Sequence, residues 1–394
     1  MSKVKFVSVF MLLVLLLSAV PGAVLGQEII PGNQLEDAAW EELVAKLIRC
    51  VDLDGEQYCF CVGFIDLQSG SAEWQKWLSA ALAEEDSAGD MSLTSFLQTR
   101  ARLSPEELRK IEEKELESAR SAVGGIKLAN YLAEPGQIPE DFFKRYPTLG
   151  IAIGSPQAEA LRQAALTGEP LDLSAFHTPT DLEAREEALV RDGTVPGKDD
   201  TSRGEIYTSG APNYRYIIYP YYREQVASNY CGVVTMESFA DADGYDQNQY
   251  YWAEKLGTDT IGYTYIGNLI PVINDYTNWN SASHGGDYAV VSVAGKDQSW
   301  FVAQHEERIG IYGAPIAEHV NLWKMYFEYL QYNHGGHFQT GRGYSQYSDV
   351  IAIFEPYDER DWYSHGNHTG KRQYVPFNKL WGATQIHPQQ NFGR

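Results

Sequence analysis

Gln225-Val-Ala-Ser-Asn-Tyr-Cys231-Gly232-Val-Val-Thr-Met236-Glu-Ser-Phe239-Ala-Asp-Ala242 reads as a polar lead running into a helix. Val233, Val234, Met236, Phe239 and Ala240 recur at the three- and four-residue spacing of one buried helix face. That spacing predicts a helix over 231–242, with Asn229 as its cap. Cys231 then falls in the first turn, where unpaired N–H groups and the positive end of the helix dipole favour a thiolate. Gly232 beside it leaves room for a substrate to approach. Further along the chain, 214–219 is a strand candidate before this helix, and 288–293 and 350–354 are candidates after it, with a short aromatic segment at 326–332. A helix followed by strands within one domain predicts an α+β fold.

An activated thiol needs a base, and the base is commonly an imidazole oriented by a third group. Gly335-Gly336-His337-Phe338 puts a histidine at the start of one strand-like stretch, and Phe354-Glu355-Pro356 puts an acid at the end of the next. In an antiparallel pair those ends lie side by side, so Glu355 is placed to accept from the second ring nitrogen of His337. Asp349 and Asp358 are the alternative acids. Acyl transfer also needs donors aimed at the developing oxyanion, and the Cys231 backbone N–H and the Gln225 side-chain amide are the candidates. Each residue alone has a plainer reading. Cys231 reads equally as a buried thiol or a long-range disulfide partner. His337 reads as a structural histidine, or as a ligand beside His334. The remaining histidines are scattered without metal spacing and read as surface or structural.

The chain changes character near residue 203. Residues 27–202 carry 33 acidic and 16 basic side chains, against 20 and 13 over 203–394, and 23 of the 26 tyrosines lie after 202. The turn-forming, charged stretch 192–204 marks the boundary between an acidic N-terminal region and a second domain, 203–394. The N-terminal region reads as mainly helical, at 35–47, 74–82 and 181–191. Ser104-Pro105-Glu106-Glu107 opens a further helix that is expected to stop at Gly124-Gly125. It carries no catalytic constellation, and serves as a removable inhibitory segment or as a binding module. Cys50, Cys59 and Cys61 cluster there, and a disulfide from Cys50 to either of the others leaves one over. The set lacks the second ligand pair of a zinc site, and no cofactor or metal is called for.

Residues 1–26 read as an export signal, with Lys3 and Lys5 before an apolar run and small residues before Gln27. The mature chain is expected to be secreted, without membrane insertion. A formal charge of -22 repels phosphate backbones and anionic lipids, so nucleic acid is a poor partner.

The order Gln225, Cys231, His337, Glu355 is that of papain-like cysteine peptidases, and residues 217–383 resemble their double-glycine-peptidase-like (bacteriocin-processing) branch. The resemblance rests on Ile217-Ile-Tyr-Pro-Tyr-Tyr-Arg-Glu-Gln225, Tyr230-Cys231-Gly232, Leu256-Gly257-Thr258, Thr260-Ile-Gly-Tyr263, Gly313-Ala-Pro315-Ile316, Gly336-His337-Phe338 and Phe354-Glu355-Pro356. It implies a helical lobe carrying the cysteine and an antiparallel sheet lobe carrying the histidine. It also implies Cys231 as nucleophile, His337 as base, Glu355 as orienting acid, Gln225 as oxyanion donor, and a peptide or protein substrate. Two departures stand out. Val233 occupies a position where the family has proline, and Glu355 one where it has aspartate or asparagine. The same residues also suit a cell-wall amidase or transglutaminase-like acyl transfer, and the departures suit an inactive secreted binding protein.

Overall fold

The computed structural model describes residues 49–53, 56–60, 64–66, 103–168 and 211–394, the last two stretches with short gaps. The export signal, the helices expected at 35–47, 74–82 and 181–191, Cys61 and the boundary stretch 192–204 lie outside the described residues.

In the half expected to be mainly helical, β1 (Arg49–Leu53), β2 (Glu56–Phe60) and β3 (Phe64–Asp66) form an antiparallel sheet. Val51, Tyr58, Phe60, Phe64 and Ile65 are residue types that suit a pleated surface. The register sets Cys50 directly opposite Cys59.

Helix α1 (Pro105–Ala133) begins where the sequence says it should. Glu107 N donates to Ser104 Oγ at 3.3 Å, and Ser104 N donates back to Glu107 Oε2 at 2.8 Å, a reciprocal cap. Gly124 and Gly125 do not end it. A Cβ at 124 would lie 2.9 Å from Tyr146 Cβ, and one at 125 would lie 2.5 Å from the Leu149 carbonyl oxygen. The glycines are there for close packing, and that packing outweighs their poor helix propensity. Helices α2 (Phe142–Arg145) and α3 (Pro156–Thr167) follow. Ser155 caps α3 by accepting from Ala158 N at 3.0 Å.

The rest is an antiparallel sheet with helices, the α+β class. Its strands are β4 (Tyr214–Tyr216), β5 (Val290–Ser292), β6 (Ile316–Asn321), β7 (Gly336–Ser345), β8 (Val350–Glu355), β9 (Lys371–Pro376) and β10 (Asn391–Gly393). They run in the order β5-β10-β6-β7-β8-β9, with β4 on β7. β4 and β5 are shorter than the stretches 214–219 and 288–293 expected of them. Residues 326–332 form turns and bends. The helices are α4 (Cys231–Ala242), α5 (Gln249–Leu256), α6 (Ile266–Tyr276), α7 (Gln298–His305), α8 (Glu359–Trp362) and α9 (Phe377–Ile386). α4 is buried from Gly232 to Asp241 and packs on β7, flanked by α5 and α6.

One hydrophobic core unites the described helices before residue 169 with the domain after 210. Val123, Leu128, Phe142 and Leu161 belong to the same cluster as Val233, Phe239, Trp323 and Phe338. Asn321 Nδ2 donates to Gly150 O at 2.6 Å, and Ala152 N donates to Ile386 O at 2.7 Å. α1 reaches the loop entering β7. Asn333 Nδ2 donates to Asn130 Oδ1 at 2.7 Å, and a Cβ on Gly335 would lie 3.1 Å from Ala122 Cβ. Among the described residues no helix is long and apolar enough to cross a membrane.

Overpacking a tight helix contact costs about 1–3 kcal/mol. Gly125→Ala is therefore expected to lower the unfolding free energy by about 1–3 kcal/mol, read as a lower urea midpoint. Gly267→Ala, at a helical glycine with open space around it, is expected to leave stability unchanged or raise it.

Candidate active site

Cys231 is the first residue of α4, a free, half-buried thiol. The helix cap is Tyr230, and it makes no side-chain capping bond. Asn229, the cap expected from the sequence, sits one position too early. The lead-in closes as a tight turn, with Tyr230 N donating to Ala227 O at 3.0 Å. With no capping bond from the Tyr230 side chain, the first N–H groups of α4 favour negative charge near the sulfur. Gly232 has a different role from the one expected. A Cβ there would lie 2.5 Å from Thr264 Cβ, so the glycine admits Thr264 against the helix rather than a substrate. Thr264 is held in turn by Thr258, Oγ1 to Oγ1 at 2.8 Å.

His337 is the second residue of β7, and β7 pairs with β8 in an antiparallel register that sets Thr340 opposite Phe354. One step further along that register Gln339 faces Glu355. His337, two residues from Gln339, shares its face of the sheet. Glu355 reaches diagonally to it, with His337 Nε2 and Glu355 Oε1 2.6 Å apart. Nε2 is thereby committed to the acid, which leaves Nδ1 as the nitrogen for the thiol. Burial alone would pull the pKa of this imidazole down. The Glu355 carboxylate and the hydrogen-bonded Cys231 sulfur outweigh it and raise the pKa to about 10.

Glu355 has no exposed surface, and each of its oxygens takes two donors. Oε1 accepts from His337 and from Tyr357 N at 3.0 Å. Oε2 accepts from Tyr329 Oη at 2.8 Å and from Gln339 Nε2 at 2.7 Å. Burial and the Glu355 charge raise the Tyr329 pKa well above 10, so its hydroxyl remains a donor. The alternative acids are engaged elsewhere. Asp358 binds Arg360 (2.8 Å) and His368. Asp349, with φ 52, lies in the turn at the far end of β8. His334 is no co-ligand of His337. Its Nε2 meets Glu359 Oε1 at 2.8 Å, and the Glu359 carboxylate also takes the N–H groups of Gln331, Tyr332 and Asn367.

Gln225 is buried, and its Nε2 donates to Ala227 O at 2.9 Å, the carbonyl that also receives Tyr230 N. That shared acceptor fixes which end of the amide is nitrogen and brings it to the start of α4. One proton of Nε2 is left over by this bond. Glu224, Asp358 and His368 each bring a possible metal-ligand atom within 4.8 Å of the others, but the Arg360 guanidinium already neutralises Asp358.

Sequence reasoning missed Tyr329, Gln339 and the Tyr357 N–H. A signal existed only for Gln339, since residue i+2 from a strand histidine shares its face. Tyr230 and Trp252 are wholly buried packing residues. No family model matches the chain, and no curated protein matches it.

A native pKa above the unfolded value of 6.5 means that the His337 imidazolium stabilises the fold fully below pH 6.5 and loses that contribution as pH rises toward 10. The urea midpoint is expected to fall between pH 7 and 10, and to fall less in His337→Gln.

Proposed function

We propose that the chain is an exported cysteine peptidase of papain-like type, with α4 to α6 as the helical lobe and β6 to β9 as the sheet lobe. The observation that carries this reading is a free thiol on an uncapped helix start, hydrogen-bonded to an imidazole whose other nitrogen is held by a buried carboxylate. An inactive binding protein has no need of that arrangement, and would be expected to hold Cys231 buried, oxidised or apart from His337.

The raised pKa of His337 keeps the imidazole charged at neutral pH, and the reacting form of Cys231 beside it is the thiolate. Cys231 Sγ attacks the carbonyl carbon of the scissile amide. The oxyanion that forms is met by the Cys231 backbone N–H and the spare Nε2 proton of Gln225. His337 Nδ1 gives its proton to the amine as the C–N bond breaks, leaving an acyl thioester on Cys231. Nδ1 then takes a proton from water, which attacks the thioester and releases the acid, leaving Cys231 as the thiolate beside the re-formed imidazolium. Glu355 keeps the ring in place and stabilises its charge throughout.

Two measurements test this. Iodoacetamide is expected to alkylate Cys231 rapidly below pH 7, with the rate collapsing in His337→Ala and no labelling at this position in Cys231→Ala. An ordinary pH dependence of alkylation would contradict the reading. On a fluorogenic peptide amide, kcat/KM is expected to hold past neutral pH and to fall only as His337 loses its proton. Glu355→Gln shifts that alkaline limb to lower pH and reduces kcat by about 100-fold or more, since general acid–base catalysis contributes 10²–10⁴-fold.

A further inference from the structure

We propose that Gln249 is a positioning residue that sets the Gln225 amide relative to Cys231, by tying the backbone on both sides of Gln225 to the helix packed beside the one that carries the thiol. The proposal rests on the peptidase reading and adds a residue to it. Gln249 opens α5, 24 residues after Gln225, and is buried. Its Oε1 accepts from Val226 N at 3.0 Å, and its Nε2 donates to Glu224 O at 2.8 Å. One side-chain amide therefore holds the residue before Gln225 and the residue after it. Gln225 N itself donates to Pro356 O at 2.9 Å, next to Glu355. The segment lies like a short strand between the end of β8 and Gln249.

The second anchor lies on α4. Gln249 also comes beside Glu237, six residues after Cys231 on the same helix. The groups facing Glu237 are Gln249, Arg223, Asp241 and Asp246. Arg223 Nε lies 3.5 Å from Glu237 Oε1 and 3.5 Å from Asp241 Oδ2, and its Nη2 lies 3.3 Å from Asp246 Oδ1. The lead-in is thus fastened to α4 through Arg223 and to the neighbouring α5 through Gln249. Gln225 depends on this, because its own amide is weakly held. Nε2 makes the bond to Ala227 O, while Oε1 is buried with no hydrogen-bond partner among the described residues. Where the amide points is then set by where the backbone is held. Only a side-chain amide accepts from one N–H and donates to one carbonyl in this span, so methionine keeps the volume and removes both bonds.

The test compares Gln249→Met, Gln225→Ala and the double variant on a fluorogenic peptide amide, with iodoacetamide alkylation of Cys231 measured alongside. Misplacing one oxyanion donor is expected to lower kcat of Gln249→Met by about 10- to 100-fold. Alkylation and its pH dependence should be unchanged, because the thiolate–imidazolium pair does not involve Gln225. The double variant should be no slower than Gln225→Ala. Unchanged kcat, a loss that adds to that of Gln225→Ala, or a parallel loss of alkylation would each overturn the proposal. If the wild type cleaves no peptide amide, the peptidase reading fails, and hydrogen exchange then decides the tie on its own. Protection of Val226 N–H should drop at least about tenfold in Gln249→Met while that of α4 amides holds, and equal protection of Val226 in both proteins would refute it.

Discussion

A glutamate with no exposed surface closes β8, and the fold around it is arranged to hold its carboxyl in one orientation. Taking a carboxylate out of water costs several kcal/mol unless its lone pairs are met. Glu355 meets that cost with four donors, from His337, Tyr357 N, Tyr329 and Gln339. Hydrogen bonds to a charged group are worth about 1.5–3 kcal/mol each, net, so every donor matters at a buried carboxylate. Removing any one donor exposes the rest of that cost. This is why the acid bonded to His337 draws on three separate pieces of the chain.

Those pieces converge because β7 is long and central. It pairs with β6, β8 and β4, and a register shift between Gly341 and Gly343 lets it serve them all. The loop before it is fixed from two sides. Glu359 gathers the N–H groups of Gln331 and Tyr332 with the His334 ring, and α1 presses Ala122 onto Gly335. The described N-terminal helices therefore belong to the mechanical support of the histidine strand. At the start of α4, which holds the thiol, Tyr230 makes no side-chain capping bond, and the lead-in is held by Gln249.

Much of this was legible in the sequence where a period or a residue type carries the information. The spacing of 233, 234, 236, 239 and 240 gave α4, and the apolar run 350–354 gave β8. The cysteine, histidine and glutamate stood out because few other chemistries use them in that order. The glycines misled. Gly124 and Gly125 look like a helix stop until Tyr146 and Leu149 are seen against them, and Gly232 looks like substrate space until Thr264 fills it. Asn229 has a capping residue's chemistry, but the turn through Ala227 shifts the helix start by one position. Tyr329 could not have been found, since nothing in a turn-forming aromatic segment says that one hydroxyl reaches a carboxylate 26 residues later. The three-stranded sheet at 49–66 was missed because its neighbours are so strongly acidic and helical in character.

The central claim is that Glu355 and Cys231 together hold His337 as an imidazolium through neutral pH. The most direct measurement is the NMR titration of the His337 ring, assigned by comparison with His337→Gln, in the wild type and in Glu355→Gln and Cys231→Ala. The account predicts a midpoint far above 6.5, toward 10, that drops in both variants and further in Glu355→Gln. A midpoint at or below 6.5 in the wild type, unmoved by either substitution, would contradict it.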